Sequence, residues 1–276
     1  MKGSQIAGVL LVAAGFSASA TAAEWKYVLG TDISSGDYGD ASATDIVSTP
    51  FSVSYSPDEH WTFKASVPWI QIEGPGGVLP GGDGGIVVGP GNGNGNGNGN
   101  GNGNGNGGEA AVTSKASGLG DLWLTGTYSL PPLSQQYFVD LSAKYKVPLA
   151  DENEGLGTGE TDYTVQADIF TMYGNFTPFV TLARKIKGDL PDVELRDVWY
   201  TSVGTGYRLS EMSSVGGSLD YQQAVTEQGD QQTEVFGYFS HKFNPQWTGM
   251  LYGYVGLADG SPDQGFGLQI VYRQAD

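Results

Sequence analysis

What most constrains this chain is a two-residue alternation of apolar and polar side chains, repeated about a dozen times from Glu24 onward. In the stretch from Tyr137 to Val147, Tyr137, Val139, Leu141, Ala143, Tyr145 and Val147 share one face of a strand. Asp140, Ser142, Lys144 and Lys146 share the other. Strand side chains point alternately to opposite faces, so each stretch parts an apolar surface from a hydrated one. Hydrocarbon tolerates no unpaired backbone group, and a closed sheet with its apolar face outward meets that condition without a hydrophobic helix. The pattern predicts an all-β fold: a transmembrane, antiparallel, up-and-down β-barrel of about 12 strands.

Strands are expected near 24–33, 43–56, 61–73, 119–130, 136–148, 160–172, 175–187, 196–209, 213–226, 232–243, 246–257 and 264–273. Their connections alternate in length. Ser56 to His60, Pro131 to Gln135, Tyr173-Gly174, Ser210 to Met212 and Asn244-Pro245 are short. The segments 34–42, 74–118, 149–159, 188–195, 227–231 and 258–263 are longer and mostly acidic or Gly-rich. Short periplasmic turns and long external loops are the habit of bacterial outer-membrane barrels.

The N-terminus carries the matching address. Lys2, the apolar run Ile6 to Phe16 and the small residues Ser17 to Ala23 read as a cleaved signal peptide over 1–23, leaving 24–276 as the barrel. A hydrophobic fraction of 39% beside 44 glycines suits a wall one strand thick, whose inner face is not greasy. The absence of cysteine removes disulfides, thiolate metal sites and a thiol nucleophile. A net charge of −17 argues against a nucleic-acid partner, since phosphate binding needs clustered cations.

Aromatic residues gather toward strand ends: Trp25, Tyr27, Trp61, Trp69, Tyr128, Tyr137, Tyr145, Tyr163, Trp199, Tyr207, Trp247, Tyr252, Tyr254 and Tyr272. They are expected to form the interface girdles of a membrane protein. Pro68 and Pro178 fall inside expected strands, donate no ladder bond, and must sit at a strand end, a bulge or a fault. Residues 74–118 form a long Gly/Asn-rich external loop, and Gly91 to Asn106 is a pure Gly-Asn repeat with the composition of a solvated coil.

With the apolar face outward, the residues expected to line the lumen include Lys64, Asp121, Trp123, Asp140, Lys144, Lys146, Asp162, Gln166, Asp168 and Asp220. The hairpin over 136–172 brings Lys144 and Lys146 near Asp162 and Gln166, as a charged constriction or a salt-bridge network filling a narrow barrel. No catalytic group, metal site or cofactor is expected. His60 lies in a short turn and His241 on a lipid-facing strand end, neither beside a nucleophile motif.

Several segments resemble the outer-membrane family known as the putative MetA-pathway of phenol degradation, described as transporter-like. They are Thr49 to Tyr55 with Trp61 to Trp69, Ser117-Gly-Leu-Gly-Asp121 with Gly126-Thr-Tyr128, and Lys144 to Pro148 with Leu156-Gly-Thr-Gly159 running to Tyr163. The resemblance implies a roughly 12-stranded barrel passing small aromatic or hydrophobic compounds, and supplies no catalytic residues. Gly267, Ile270 and Tyr272 also resemble the C-terminal signal read by the barrel-assembly machinery. The expected function is a passive channel in the bacterial outer membrane, in contact with lipid, lipopolysaccharide and a small-molecule permeant. The competing class is an adhesin-like barrel acting through its external loops.

Overall fold

The computed structural model describes residues 23–39, 42–76, 78–81, 84–87, 114–132, 136–190, 194–227 and 229–275. The expected signal peptide, save its last residue, and the pure Gly-Asn repeat lie outside the described residues. The strands are β1 (Glu24–Gly36), β2 (Thr44–Ser56), β3 (Trp61–Gly74), β4 (Val78–Gly81), β5 (Gly84–Val87), β6 (Ser114–Leu119), β7 (Leu122–Ser129) and β8 (Tyr137–Val147). They continue as β9 (Tyr163–Thr171), β10 (Phe176–Ile186), β11 (Val198–Arg208), β12 (Ser213–Gln222), β13 (Gln232–Lys242), β14 (Trp247–Gly256) and β15 (Gln264–Ala275).

Thirteen strands make one antiparallel sheet, which closes because β1 pairs with β15 and β2 pairs with both β1 and β3. β6 and β7 share a single place in the wall, each pairing with a different part of β3, so the barrel has twelve wall positions. The short turns lie at the end that holds both termini, where Glu24 faces Ser56 and Ala275. The long loops lie at the other end. The architecture is the one the alternation predicts.

The wall is inside out relative to a water-soluble protein. Leu29, Ile33, Val165, Val203 and Phe266 face outward at 54–55% exposure, while Lys146, Asp162, Thr164 and Glu234 are buried within at 2% or less. Burying one such apolar side chain is worth about 1.5–3 kcal/mol. An outer surface made of them belongs in hydrocarbon. Rings pair at the terminal end, where the centroids of Trp25 and Tyr55 lie 4.6 Å apart and those of Trp247 and Tyr272 4.9 Å apart. At the loop end Tyr145 and Tyr163 lie 5.3 Å apart. Two expected girdle members belong elsewhere: Tyr252 and Tyr254 point inward and are 3% and 4% exposed.

Both prolines sit at interruptions. The register between β3 and β6 differs by one residue from that between β3 and β7, so Gly120 and Asp121 together oppose Pro68 in a β-bulge. The Gly120 amide donates to the Pro68 carbonyl at 2.8 Å, and Pro68 owes nothing in return. Pro178 pairs with Thr205 on β11, while the ladder with β9 starts only at Phe179.

Several boundaries differ from expectation. β9 begins at Tyr163 rather than 160, because Asp162 is drawn into an ion cluster described below. β12 ends at Gln222, where Val225 turns into an apolar cluster. Part of the segment 74–118 is ordered: β6 extends the wall against the upper part of β3, and β4 with β5 forms a hairpin whose Val78 finds apolar partners.

Candidate functional site: the barrel interior

Register partners in an antiparallel sheet share a face, so rows of them run obliquely around the inner wall. The row Lys26, Ser54, Lys64, Thr125, Lys144, Thr164, Lys185 holds only cations and hydroxyls. Two residues nearer the terminal end, about 6–7 Å along each strand, the row Thr127, Ser142, Gln166, Ala183, Tyr200, Gln222 is neutral. The next row, Asp140, Asp168, Thr181, Ser202, Asp220, Glu234, holds only carboxylates and hydroxyls. Beyond it run Phe138, Phe170, Phe179, Gly204, Ser218, Phe236 and Tyr254. The interior is thus banded by chemistry, and the bands climb. The basic band leaves β1 close to the termini and reaches the penultimate residue of β10 at the loop end.

Of the ten residues expected in the lumen, eight take the inward face of their strands, while Asp121 sits in the bulge before β7 and Asp162 in the loop before β9. Gln166 and Thr181 hold Asp168, the amide at 2.7 and 3.0 Å and the hydroxyl at 2.6 Å. These donors are neutral, so the carboxylate is hydrogen-bonded without being cancelled. Asp140 faces Asp168 across the β8–β9 pair. Asp220 accepts from the Tyr200 hydroxyl at 2.7 Å and from Ser218 at 3.0 Å. In the basic band Lys185 donates to Gln222 at 2.6 Å and lies 5.1 Å from the centre of the Tyr200 ring. Lys64 is half-buried between Ser54 and Thr125.

At the loop end the charges do cancel. Lys146 reaches Asp162 at 3.1 Å, Asp121 at 3.5 Å and the Thr158 hydroxyl at 2.8 Å. Asp121, seated in the bulge, also accepts from the Leu149 and Ala150 amides at 3.1 and 3.0 Å. Asp162 gains Lys187 at 2.9 Å and the Gly188 amide at 3.0 Å. Burial opposes the Asp162 charge, but Lys187, Lys146 and that amide outweigh it and hold the carboxyl below the ordinary range. The cluster ties the loop residues Leu149, Ala150, Thr158, Asp162, Lys187 and Gly188 to the wall.

Lys144 behaves differently. It is 7% exposed, faces Thr125 and Thr164, and has no hydrogen-bond or ion-pair partner among the described residues.

Apart from Trp123, the aromatic lining escaped the sequence reading. Tyr252 and Tyr254 donate to Asp32 at 2.8 and 2.9 Å, and their rings lie against Gly267 and Gly265, where a Cβ would collide with them. The signal was present: tyrosines two apart on β14 face glycines two apart on β15. Apolar loop residues pack over the loop end in two clusters, Tyr38, Val78, Ala150 and Leu156 with Ile46 and Ile70, and Leu195, Val198 and Val225 with Leu79 and Leu190. The hairpin of β4 and β5 contributes to both. His60 Nδ1 lies 2.9 Å from the Ser129 carbonyl. His241 Nδ1 lies 2.8 Å from the Ser213 hydroxyl, its cross-strand partner on the lipid side, a contact the sequence reading did not anticipate.

No known family's sequence pattern matches the chain, and no curated protein matches it. Among solved structures it is similar to the COG4313 outer membrane channel from Pseudomonas putida F1, with 11% identity over 94% of this chain and 97% of that one, at a TM-score of 0.64. The NanC porin shares 10% identity over 91% and 99% of the two chains at 0.53, and the KdgM porin 8% over 90% and 98% at 0.52. At such identities the likeness is one of fold, and these neighbours are channels and porins. A closed twelve-position wall with an apolar exterior places the chain in the bacterial outer membrane.

Proposed function

We propose that the protein is a passive channel for small molecules, aromatic and otherwise apolar compounds included. The observation that carries this reading is the banding of the interior: charged, neutral-polar and aromatic rows that climb the wall. A wall that only had to be filled needs no such ordering, since any mutually satisfied set of polar groups would do. A solute that can shift its charged or apolar part along a continuous band meets no abrupt change of surroundings. Phe138 and Phe170, stacked with centroids 5.2 Å apart, and the neighbouring Phe179 offer apolar footing for ring-bearing solutes. The shared fold of channels and porins supports the reading. Single-channel conductance and solute uptake by the purified protein in liposomes test it, with phenols, aromatic acids and aliphatic solutes as the panel. Uptake equal to protein-free liposomes, together with loss of surface binding on deletion of residues 88–113, would replace it with a loop-mediated surface role.

A further inference from the structure

We propose that Lys144, Thr164 and Trp123 form a carboxylate-binding subsite in the lumen, and that organic monocarboxylates with a flat apolar body are permeants. This deepens the channel reading and rests on it. Lys144 carries an ammonium with no partner among the described residues. Its register partner on β9 is Thr164, 1% exposed, whose buried hydroxyl has no hydrogen bond. Trp123, 4% exposed, has a buried indole N–H that is also unpaired. It faces Lys146 across β7–β8, which makes it the diagonal neighbour of Lys144.

Directly opposed side chains stand about 4.5–5.5 Å apart at Cβ and diagonal ones about 7–8 Å, so the three groups can reach one ligand. An ammonium and an indole N–H can only donate, and a threonine hydroxyl can donate as well. Three unsatisfied donors on three adjacent strands, with Lys144 in the middle, call for an acceptor. A carboxylate, with two oxygens and about four lone-pair directions, can take all three. Lys146, the next inward residue, is already held by Asp121, Asp162 and Thr158 and cannot compete. The indole face supplies an apolar wall for the body of the ligand.

The probe is benzoate, with benzyl alcohol as its uncharged analogue and chloride as a simple anion. Trp123 is a built-in reporter, because Trp25, Trp61, Trp69, Trp199 and Trp247 are 37–47% exposed on the lipid side while Trp123 is buried within. Benzoate titrated into the detergent-solubilised mature protein is expected to change tryptophan emission saturably. W123F should abolish the change, and K144M should weaken apparent affinity about tenfold or more. T164V, which keeps the side-chain shape, should weaken it less, and serves if K144M does not fold. In liposomes, the ratio of benzoate to benzyl alcohol flux should fall in K144M relative to the native protein. The subsite is overturned if the native protein shows no saturable change, if chloride gives the same change, or if the response survives both K144M and T164V. If titration saturates but no solute crosses faster than in protein-free liposomes, the channel reading and permeation by monocarboxylates fail and only the binding subsite stands. If both solutes cross at a ratio that K144M leaves unaltered, the channel stands and the subsite fails.

Discussion

Lys144 and Lys146 are successive inward residues of one strand, yet they sit in opposite electrostatic situations. Lys146 is locked among two carboxylates and a hydroxyl at 2.8–3.5 Å, while Lys144 has hydroxyl-bearing neighbours and no partner among the described residues. The difference comes from what each faces. Lys146 meets the bulge that aims Asp121 inward and the loop residue Asp162. Lys144 meets threonines on both sides. Burial alone therefore does not tell the two lysines apart; partners do.

The sharpest way to break this comparison is to delete each ammonium in turn. Lys146→Met leaves Asp121 and Asp162 buried without their shared cation and is expected to destabilise the barrel by about 3–5 kcal/mol, read from denaturant unfolding in micelles. Acid comes next. The Asp162 carboxyl is held below its ordinary value, so its contribution is complete above the unfolded carboxylate range, about pH 4, and is lost as pH falls through the depressed value. Unfolding midpoints should drop on acidification in the native protein and drop less in Lys187→Met; equal slopes would remove Asp162 from the cluster. Thr158→Val takes one hydrogen bond from the Lys146 ammonium and should cost about 1.5 kcal/mol by the same assay. Lys144→Glu breaks no ion pair among the described residues and should cost far less stability than Lys146→Met, while shifting reversal potentials toward cation preference. An unfolding penalty as large as that of Lys146→Met would erase the distinction.

Most of the wall was legible in the sequence, because alternation over ten or more residues has one physical meaning when the separators also alternate in length. Pro68 even announced an interruption, although not that Gly120 and Asp121 would supply it. Roles inside the wall were less legible. Lys144 and Lys146 look identical along the chain, and only the pairing partners, set by register and by the returning loops, tell them apart. Tyr252 and Tyr254 were assigned to a girdle because an amphipathic ring suits an interface as well as a polar interior. The facing glycines of β15 decide the matter, and they lie a hairpin away. The order within 74–118 was masked by its glycine content: Val78 and Leu79 have apolar partners only once other loops fold back.

The bulge beside Pro68 also acts as a phase shift. Every side chain after it on that stretch of wall takes its face from the one additional residue. Removing Gly120 while β3 and β6 hold their pairing would turn Leu122 and Leu124 toward the interior and Trp123, Thr125 and Thr127 toward lipid. A frameshift of one amino acid would strip Lys144 of its Thr125 neighbour and set leucines into the interior.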